Sequence, residues 1–531
     1  LVTEKRKWIK TVLMVCLCVT LIIMPVITVD AAEGKAEPIK VKLLSINDFH
    51  GQLNTVKQVN GEPAGRADYL ATYLRERESK NRHTLKVHAG DAVGASAPVS
   101  SLLQDEPTID ILNRLHFDVG TVGNHEFDQG TDEMMRLIKG GYHEKTGHFK
   151  GARFPYTAAN VVNKKTGKPI LPPYHIQRIK GIPVGFIGVV TKETPQIVIP
   201  EGVKDLQFID EAKAINEQVK KLKRKGVRGI IVIAHEGGFQ DKENGVMEGP
   251  IVDIAKKLDD EVDIIVSGHT HSYLNGTVNG KRIVQAHSSG TAFAEVDFTL
   301  DRRTRDIHVE RSEIITTYHK GVKPDPQIKK VVQRYEKQVE PIINKKVGEA
   351  AQTITRTPNE AGESALGNLI ADVQRWKMGT DIAFMNPGGI RDDIQQGEVT
   401  WGDLYTVQPF GNDLVSMKMT GEQIHKLLNQ QWELDRPRIL QISGLTYRYD
   451  LSRPVGDRIV EIKQADGTPI QPDTAYTVTA NAFLSTGGDG FTLFTEATDK
   501  VTGPSDLDAL VDYVEQTEQP FSAEIEGRIQ K

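Results

Sequence analysis

Five short apolar runs in this chain each end at residues of metal-ligand type. Residues 41–46 lead into Asn47, Asp48, Phe49 and His50, and residues 85–89 into Gly90 and Asp91. Residues 118–122 lead into Gly123, Asn124, His125 and Glu126, residues 228–234 into His235 and Glu236, and residues 262–267 into Gly268, His269, Thr270 and His271. Runs of this length, rich in β-branched residues and bounded by turn formers, read as buried strands. Strands that each deliver an acid, amide or imidazole at the same end gather those groups on one rim. Such oxygen and nitrogen donors suit borderline or hard divalent ions such as Zn²⁺, Mn²⁺, Fe²⁺ or Ca²⁺. A pair of ions about 3.5–4 Å apart can clamp both the attacking and the leaving oxygen of a displacement at phosphorus. The ordered series therefore predicts a two-metal phosphoesterase site.

Asp48 and His50 stand two apart, so both can face one ion from a strand end, and His269 with His271 repeats the spacing. Asp91, the lone acid after Ala89 and Gly90, is the natural bridge between two ions. His88, His116, His175 and His287 lie near these motifs and fit no position in the series.

The first residues have a different character. Lys5, Arg6, Lys7 and Lys10 precede an apolar stretch over 11–29, followed by small residues around Ala31 and Ala32. That layout predicts a secretory signal peptide over 1–31, with an uncleaved anchor as the alternative, and a secreted or cell-envelope protein with no stable membrane insertion after cleavage. Both cysteines, Cys16 and Cys18, fall in the apolar stretch, so the remaining chain has no disulfide, thiolate metal site or cysteine nucleophile. Residues 1–31 hold four basic and two acidic side chains, so without them the formal charge moves from −5 to −7. An acidic protein is poorly suited to long nucleic acids, whose affinity comes from neutralising phosphates with Lys and Arg. A small-molecule substrate is expected, and the sequence carries no signal for oligomeric state.

Between residues 38 and 318, strand-like runs alternate with helical patterns at 66–80, 210–225 and 250–258, which places the chain in the α/β class. The pattern breaks at Pro324 and Pro326. A linking helix is predicted within 319–346, over about 327–345, interrupted at Pro341 and packed by a face of Ile328, Val331, Val332, Tyr335 and Val339. A second α/β unit spans 347–531. It carries a Gly-rich loop, Asn386-Pro387-Gly388-Gly389-Ile390-Arg391, whose arginine suits oxyanions through its planar fork. Phe410, next to Gly411 and Asn412, and Phe483 each sit in a turn-rich setting, and Asp489 lies between glycines. Two such aromatics can sandwich a nucleobase, and Asp489 can accept hydrogen bonds from ribose hydroxyls.

The ligand series resembles the calcineurin-like metallophosphoesterases. Asn47-Asp48-Phe49-His50 and Gly123-Asn124-His125-Glu126-Phe127-Asp128 resemble the secreted 5′-nucleotidases within that superfamily. The resemblance implies an N-terminal metallophosphoesterase β-sandwich flanked by helices and a C-terminal nucleotide-binding domain. It implies one metal on Asp48, His50, Asp91 and His271 and another on Asp91, Asn124, His235 and His269. It also implies catalysis by His125 paired with Asp128, after in-line attack by hydroxide formed at two divalent metal ions. In the second unit it implies base stacking by Phe410 and Phe483, sugar contact by Asp489, and base or phosphate contacts by Asn386 and Arg391, with Gly388, Gly389 and Asn412 in the same loops.

The implied function is hydrolysis of nucleoside 5′-monophosphates, extending to di- and triphosphates or nucleotide sugars. The alternative is a 2′,3′-cyclic-nucleotide phosphodiesterase with 3′-nucleotidase activity, because His271 stands where several 5′-nucleotidases carry Gln or Asn. The chain also departs from the family over Thr357–Gly362, where Arg356 lies farther upstream than the usual arginine.

Overall fold

Alternation along single strands sets the layering of the first half. In the strand Ile39–Ile46, Val41 and Leu43 face one core while Leu44 and Ile46 face another. In Gly229–His235, Ile231 and Ile233 join the first of those cores, and Ile230, Val232 and Ala234 a third. Both strands are therefore covered on two sides, as their near-continuous apolar runs require. The structure is a computed structural model that describes residues 37–241, 243–434 and 436–531. The expected signal peptide lies outside the described residues.

Two six-stranded sheets pack face to face. The first runs, in spatial order, Ile307–Thr316, Ala292–Leu300, Ile39–Ile46, Thr84–Ala89, Val119–Thr121 and Tyr156–Thr157. The second runs Tyr174–Ile179, Ile182–Val190, Gly229–His235, Val262–Ser267, Lys281–Ala286 and Tyr273–Val278. Leu43, Val87, Phe186, Ile231, Val266 and Phe298 fill the space between them. Helices Glu211–Arg224 and Pro250–Lys257 cover the outer face of the second sheet, and Ala67–Lys80 and Pro326–Ile343 that of the first. The result is the helix-flanked β-sandwich that the family resemblance implies, within the α/β class that the alternating pattern predicts. The Ile39–Ile46, Thr84–Ala89 and Val119–Thr121 strands are parallel neighbours, as are Gly229–His235 and Val262–Ser267. Parallel pairing aligns the three C-terminal ends of the first sheet and the two of the second. The packing of the sheets brings the residues after them together, as the contact of His235 Nδ1 with the Ala89 carbonyl shows.

Asp325 caps the connecting helix by accepting from Gln327 N and Ile328 N, with Pro326 in the first turn. The predicted interruption at Pro341 does not occur, since the helix runs Pro326–Ile343 through it. Pro341 falls in the last turn, where little helix follows it. Val339 is buried and Ile343 packs against the same core, which holds that turn in place. Ile328, Val332 and Val339 are inserted among the residues under the first sheet, so this helix belongs to the packing of the first half.

The second half is built on a five-stranded sheet, in order Gln441–Ser443, Ile382–Met385, Ala475–Asn481, Asp413–Thr420 and Thr498–Ser505. Phe384, Met417 and Met419 face a core with helix Gly421–Asn429, while Met385 and Leu414 face helices Ala365–Met378 and Asp506–Gln516. No helix among the described residues is long and apolar enough to cross a membrane.

Candidate functional site

All seven residues expected to hold metals meet on the rim. Asp48, His50 and His271 form one group and Asp91, His235 and His269 another, each with potential ligand atoms within 4.8 Å of one another. Asn124 joins the second group, its Oδ1 lying 3.1 Å from His235 Nε2 and 3.0 Å from His269 Nδ1. Asp91 stands between the groups, with Oδ2 3.1 Å from His235 Nε2 and 3.9 Å from His50 Nε2. Asp48, His50, Asp91, His269 and His271 all have positive φ, between 45° and 74°. Left-handed backbone is costly for residues with a Cβ and persists only where surrounding structure imposes it. Here it turns each side chain sharply off its strand end.

The donor chemistry fits divalent cations. His50 and His235 each commit Nδ1 to a backbone carbonyl, of Gly94 and Ala89 respectively, both at 2.8 Å. Each Nε2 lone pair then points at other acceptors, His50 Nε2 lying 3.1 Å from His271 Nε2. Carbonyl contacts of this kind fix the tautomer of metal-binding histidines. Converging acceptors repel one another unless positive charge sits among them. The electrostatics agree: burial, with Asp91 nearby, pushes Asp48 up to about 7. Burial works to lower the His235 imidazole, yet Asp91 and Asp48 outweigh it and lift it to about 10.

Sequence reasoning gave Glu126 no role, but the buried carboxylate organises the rim. It accepts from the backbone N–H of Asp91 and Ala92, both at 2.9 Å, and from that of Gly123 at 2.5 Å. The acid three residues after Gly123 was the available signal. Gly90 must lack a side chain, because at φ +77° a Cβ would come within 2.7 Å of His235 Nδ1.

His125 sits beside the rim. Its Nδ1 lies 2.8 Å from Asp128 Oδ2, and its backbone N–H donates to Asp91 Oδ1 at 2.9 Å. Burial acts to lower its pKa, but the carboxylates of Asp128 and Asp91 outweigh that effect and leave it above the ordinary value.

The second half brings its expected residues to the same place. Asn386, Gly388, Gly389, Arg391, Phe410, Asn412, Phe483 and Asp489 line one cavity of about 510 Å³ with Asp91, Asn124, His125, Asp128, His269 and His271. Asp48, His50 and His235 are buried behind that wall. Phe410 stacks on His125 rather than on Phe483, with centroids 5.7 Å apart and planes 17° from parallel. The Arg391 guanidinium lies 5.7 Å from the Phe410 centroid. A Cβ at Gly389 would fall 2.4 Å from Met385 Cε, so a larger residue there would displace the tip of that methionine. Asn386 Nδ2 donates to Asp489 Oδ2 at 3.0 Å, and Asn481 Nδ2 to Asn386 Oδ1 at 3.0 Å. Despite its upstream position, Arg356 lines the cavity, with Nη1 donating to the Ile390 carbonyl at 3.0 Å. Arg436 and Arg438 also line it, and no motif pointed to them.

Comparison with known proteins accounts for both halves. The calcineurin-like phosphoesterase family matches residues 41–273, and the 5′-nucleotidase C-terminal domain matches residues 345–496. The cell wall protein Lmo0130 of Listeria monocytogenes is 37% identical over 557 residues, covering 94% of this chain and 70% of that protein. The chain belongs to the 5′-nucleotidase family of hydrolases. Endonuclease YhcR of Bacillus subtilis is 43% identical over 503 residues, covering 93% of this chain, which spans only 41% of that protein's length. The crystal structure of a 5′-nucleotidase precursor from Thermus thermophilus superposes with a TM-score of 0.79 at 29% identity, over 93% of this chain and 99% of that one. The rim residues Asp48 to His271 fall within the first family match, and the cavity residues Asn386 to Asp489 within the second.

Proposed function

We propose that the chain is a secreted phosphohydrolase that cleaves nucleoside 5′-monophosphates to nucleoside and phosphate, with activity extending to di- and triphosphates or nucleotide sugars. One observation carries this reading: the metal-type rim and the aromatic, amide and arginine residues of the second half share a single cavity. Asp48, His50, Asp91 and His271 would hold one divalent cation and Asp91, Asn124, His235 and His269 a second, supplying charge stabilisation at phosphorus and a lowered pKa for the attacking water.

The chain's own side chains do the rest. Arg391, whose charge is felt by the rim carboxylates, pairs with phosphate oxygens through its planar fork. Asp128 ties up His125 Nδ1, so the proton on Nε2 is available to the leaving 5′-oxygen. Phe410 and Phe483 hold the base by its faces, and Asn386 and Asp489 offer polar contacts to base and sugar.

Export is supported by the basic and then apolar N-terminal sequence and by the relative named as a cell wall protein. N-terminal sequencing of protein recovered outside the producing cells tests it. Cleavage after residue 31 is expected, and retention of the intact chain inside the cells would refute it.

The function is tested by product analysis with AMP and 2′,3′-cyclic AMP on the metal-reconstituted protein. Adenosine and phosphate from AMP, at the higher kcat/KM, are expected. A dominant conversion of the cyclic substrate would establish the alternative that His271 favours, namely a cyclic phosphodiesterase with 3′-nucleotidase activity.

A further inference from the structure

The 5′-nucleotidase reading, on which the subsite described next rests, leaves two arginines without a task. Arg436 and Arg438 line the cavity beside Asp489, whereas Arg356 reaches it next to Ile390 and Arg391. A single 5′-phosphate at the rim is served by Arg391. The other pair stands at the end where Asp489 would meet the sugar.

Arg438 is nearly buried, its side chain 13% exposed, and its Nη1 lies 3.1 Å from Asp489 Oδ1. That approach lacks hydrogen-bond geometry, and the same Nη1 is buried with no hydrogen-bond partner. Asp489 is meanwhile held by Asn386 on its other oxygen. Arg436, itself exposed, lines the same cavity as Asp489 and His269. Two guanidinium groups against one carboxylate leave a net positive charge at this end of the cavity, and of the two Arg438 is the one largely withdrawn from solvent. A partly desolvated cation without full compensation is costly, and an anionic ligand group offsets that cost. A ribose hydroxyl is neutral and does not, whereas a phosphoryl group matches the guanidinium fork.

We propose that Arg436 and Arg438 form a subsite for a second phosphoryl group carried on the 3′-oxygen of a 5′-nucleotide. The preferred substrates are then nucleoside 3′,5′-bisphosphates, or 5′-phosphorylated short oligonucleotides whose 3′-oxygen carries a diester. In the bisphosphate case water adds at the 5′-phosphorus, the bond from phosphorus to the 5′-oxygen breaks, and that oxygen takes a proton. The products are a nucleoside 3′-phosphate and inorganic phosphate.

The test uses the full, metal-loaded chain and its R436Q and R438Q variants. For each, kcat/KM is measured with AMP, adenosine 3′,5′-bisphosphate and the dinucleotide pApA, and products are identified by chromatography. The wild type should favour at least one of the two 3′-substituted substrates over AMP, and which one is favoured tells a terminal phosphate from a diester. In R436Q that preference should fall about tenfold or more, the loss expected for a charge-assisted contact. Arg436 is exposed, so R436Q decides the matter even if R438Q fails to fold. An unchanged preference in R436Q would overturn the proposal, and so would release of the 3′-phosphate, which would put that group at the rim. If no variant hydrolyses AMP, the 5′-nucleotidase reading fails separately. Calorimetric titration with AMP and the bisphosphate then reads the subsite directly, and equal affinities in the wild type would sink it.

Discussion

The Phe410 ring lies almost flat against the His125 imidazole, with centroids 5.7 Å apart. One ring comes from the second half, and the other is tied in the first half to Asp128 and, through its backbone N–H, to Asp91. Phe410 therefore covers the imidazole, and in the proposed function it also presents ring surface to a base. Phe410→Ala should lower kcat/KM for AMP by about 1–3 kcal/mol, or roughly 5- to 150-fold, the range for loss of a base–aromatic stack. With p-nitrophenyl phosphate, which has no nucleobase, only the loss of cover over His125 remains, and the decrease should be smaller. Equal decreases with both substrates would remove the base-stacking role.

His125 contributes no atom to the contacts that position Asn124, His235 and His269. His125→Ala should then reduce kcat by about 10²–10⁴-fold, as expected for a lost proton donor, while metal content by elemental analysis stays at the wild-type level. Asp128→Asn should move kcat in the same direction by a smaller factor, because the imidazole remains and only its orientation and proton affinity change. Loss of metal from His125→Ala would reassign the residue to the ligand set.

Glu126 accepts three backbone N–H groups that bracket Asp91 and Gly123. In Glu126→Gln the amide nitrogen would face N–H donors and the charge would be lost. Destabilisation of about 1–3 kcal/mol is expected, measured as a lower urea midpoint with an unchanged slope. A midpoint equal to wild type would mean that these bonds do not hold the Gly90–Asp91 and Gly123–His125 turns.

The convergence of the rim residues was legible in the sequence because each follows an apolar run, and parallel pairing within each sheet aligns such run ends while the packing of the two sheets brings them together. The helix through Pro341 was not. Its persistence depends on Val339 and Ile343 packing against residues distant in sequence, which local propensity does not encode. Glu126 was visible only as part of a motif, because backbone N–H groups leave no trace in a residue pattern. Arg436 and Arg438 carry no spacing signal, and only tertiary structure brings both to the cavity and Arg438 to Asp489. The pairing of Phe410 with His125 was likewise hidden, because it depends on how the halves meet.

Asp263 lies near the start of the strand Val262–Ser267, at the end away from the rim, and its Oδ2 accepts from Ile230 N at 2.8 Å. Burial, with Asp306 and Glu261 nearby, raises its pKa from 3.8 to about 8. Between those values the folded chain keeps a proton that the unfolded chain has released, so the unfolded state is favoured increasingly as pH rises. The stability linked to this carboxyl is fully present below the unfolded value and is lost by the time pH passes the folded one. Asp263→Asn retains an oxygen for the Ile230 N–H and does not titrate. Its melting temperature should match wild type near pH 4, exceed it increasingly through the window, and hold a constant advantage above about pH 8. Differential scanning calorimetry across that range measures the difference, and an advantage that shrinks with rising pH would show that Asp263 is ionised in the folded chain at neutral pH.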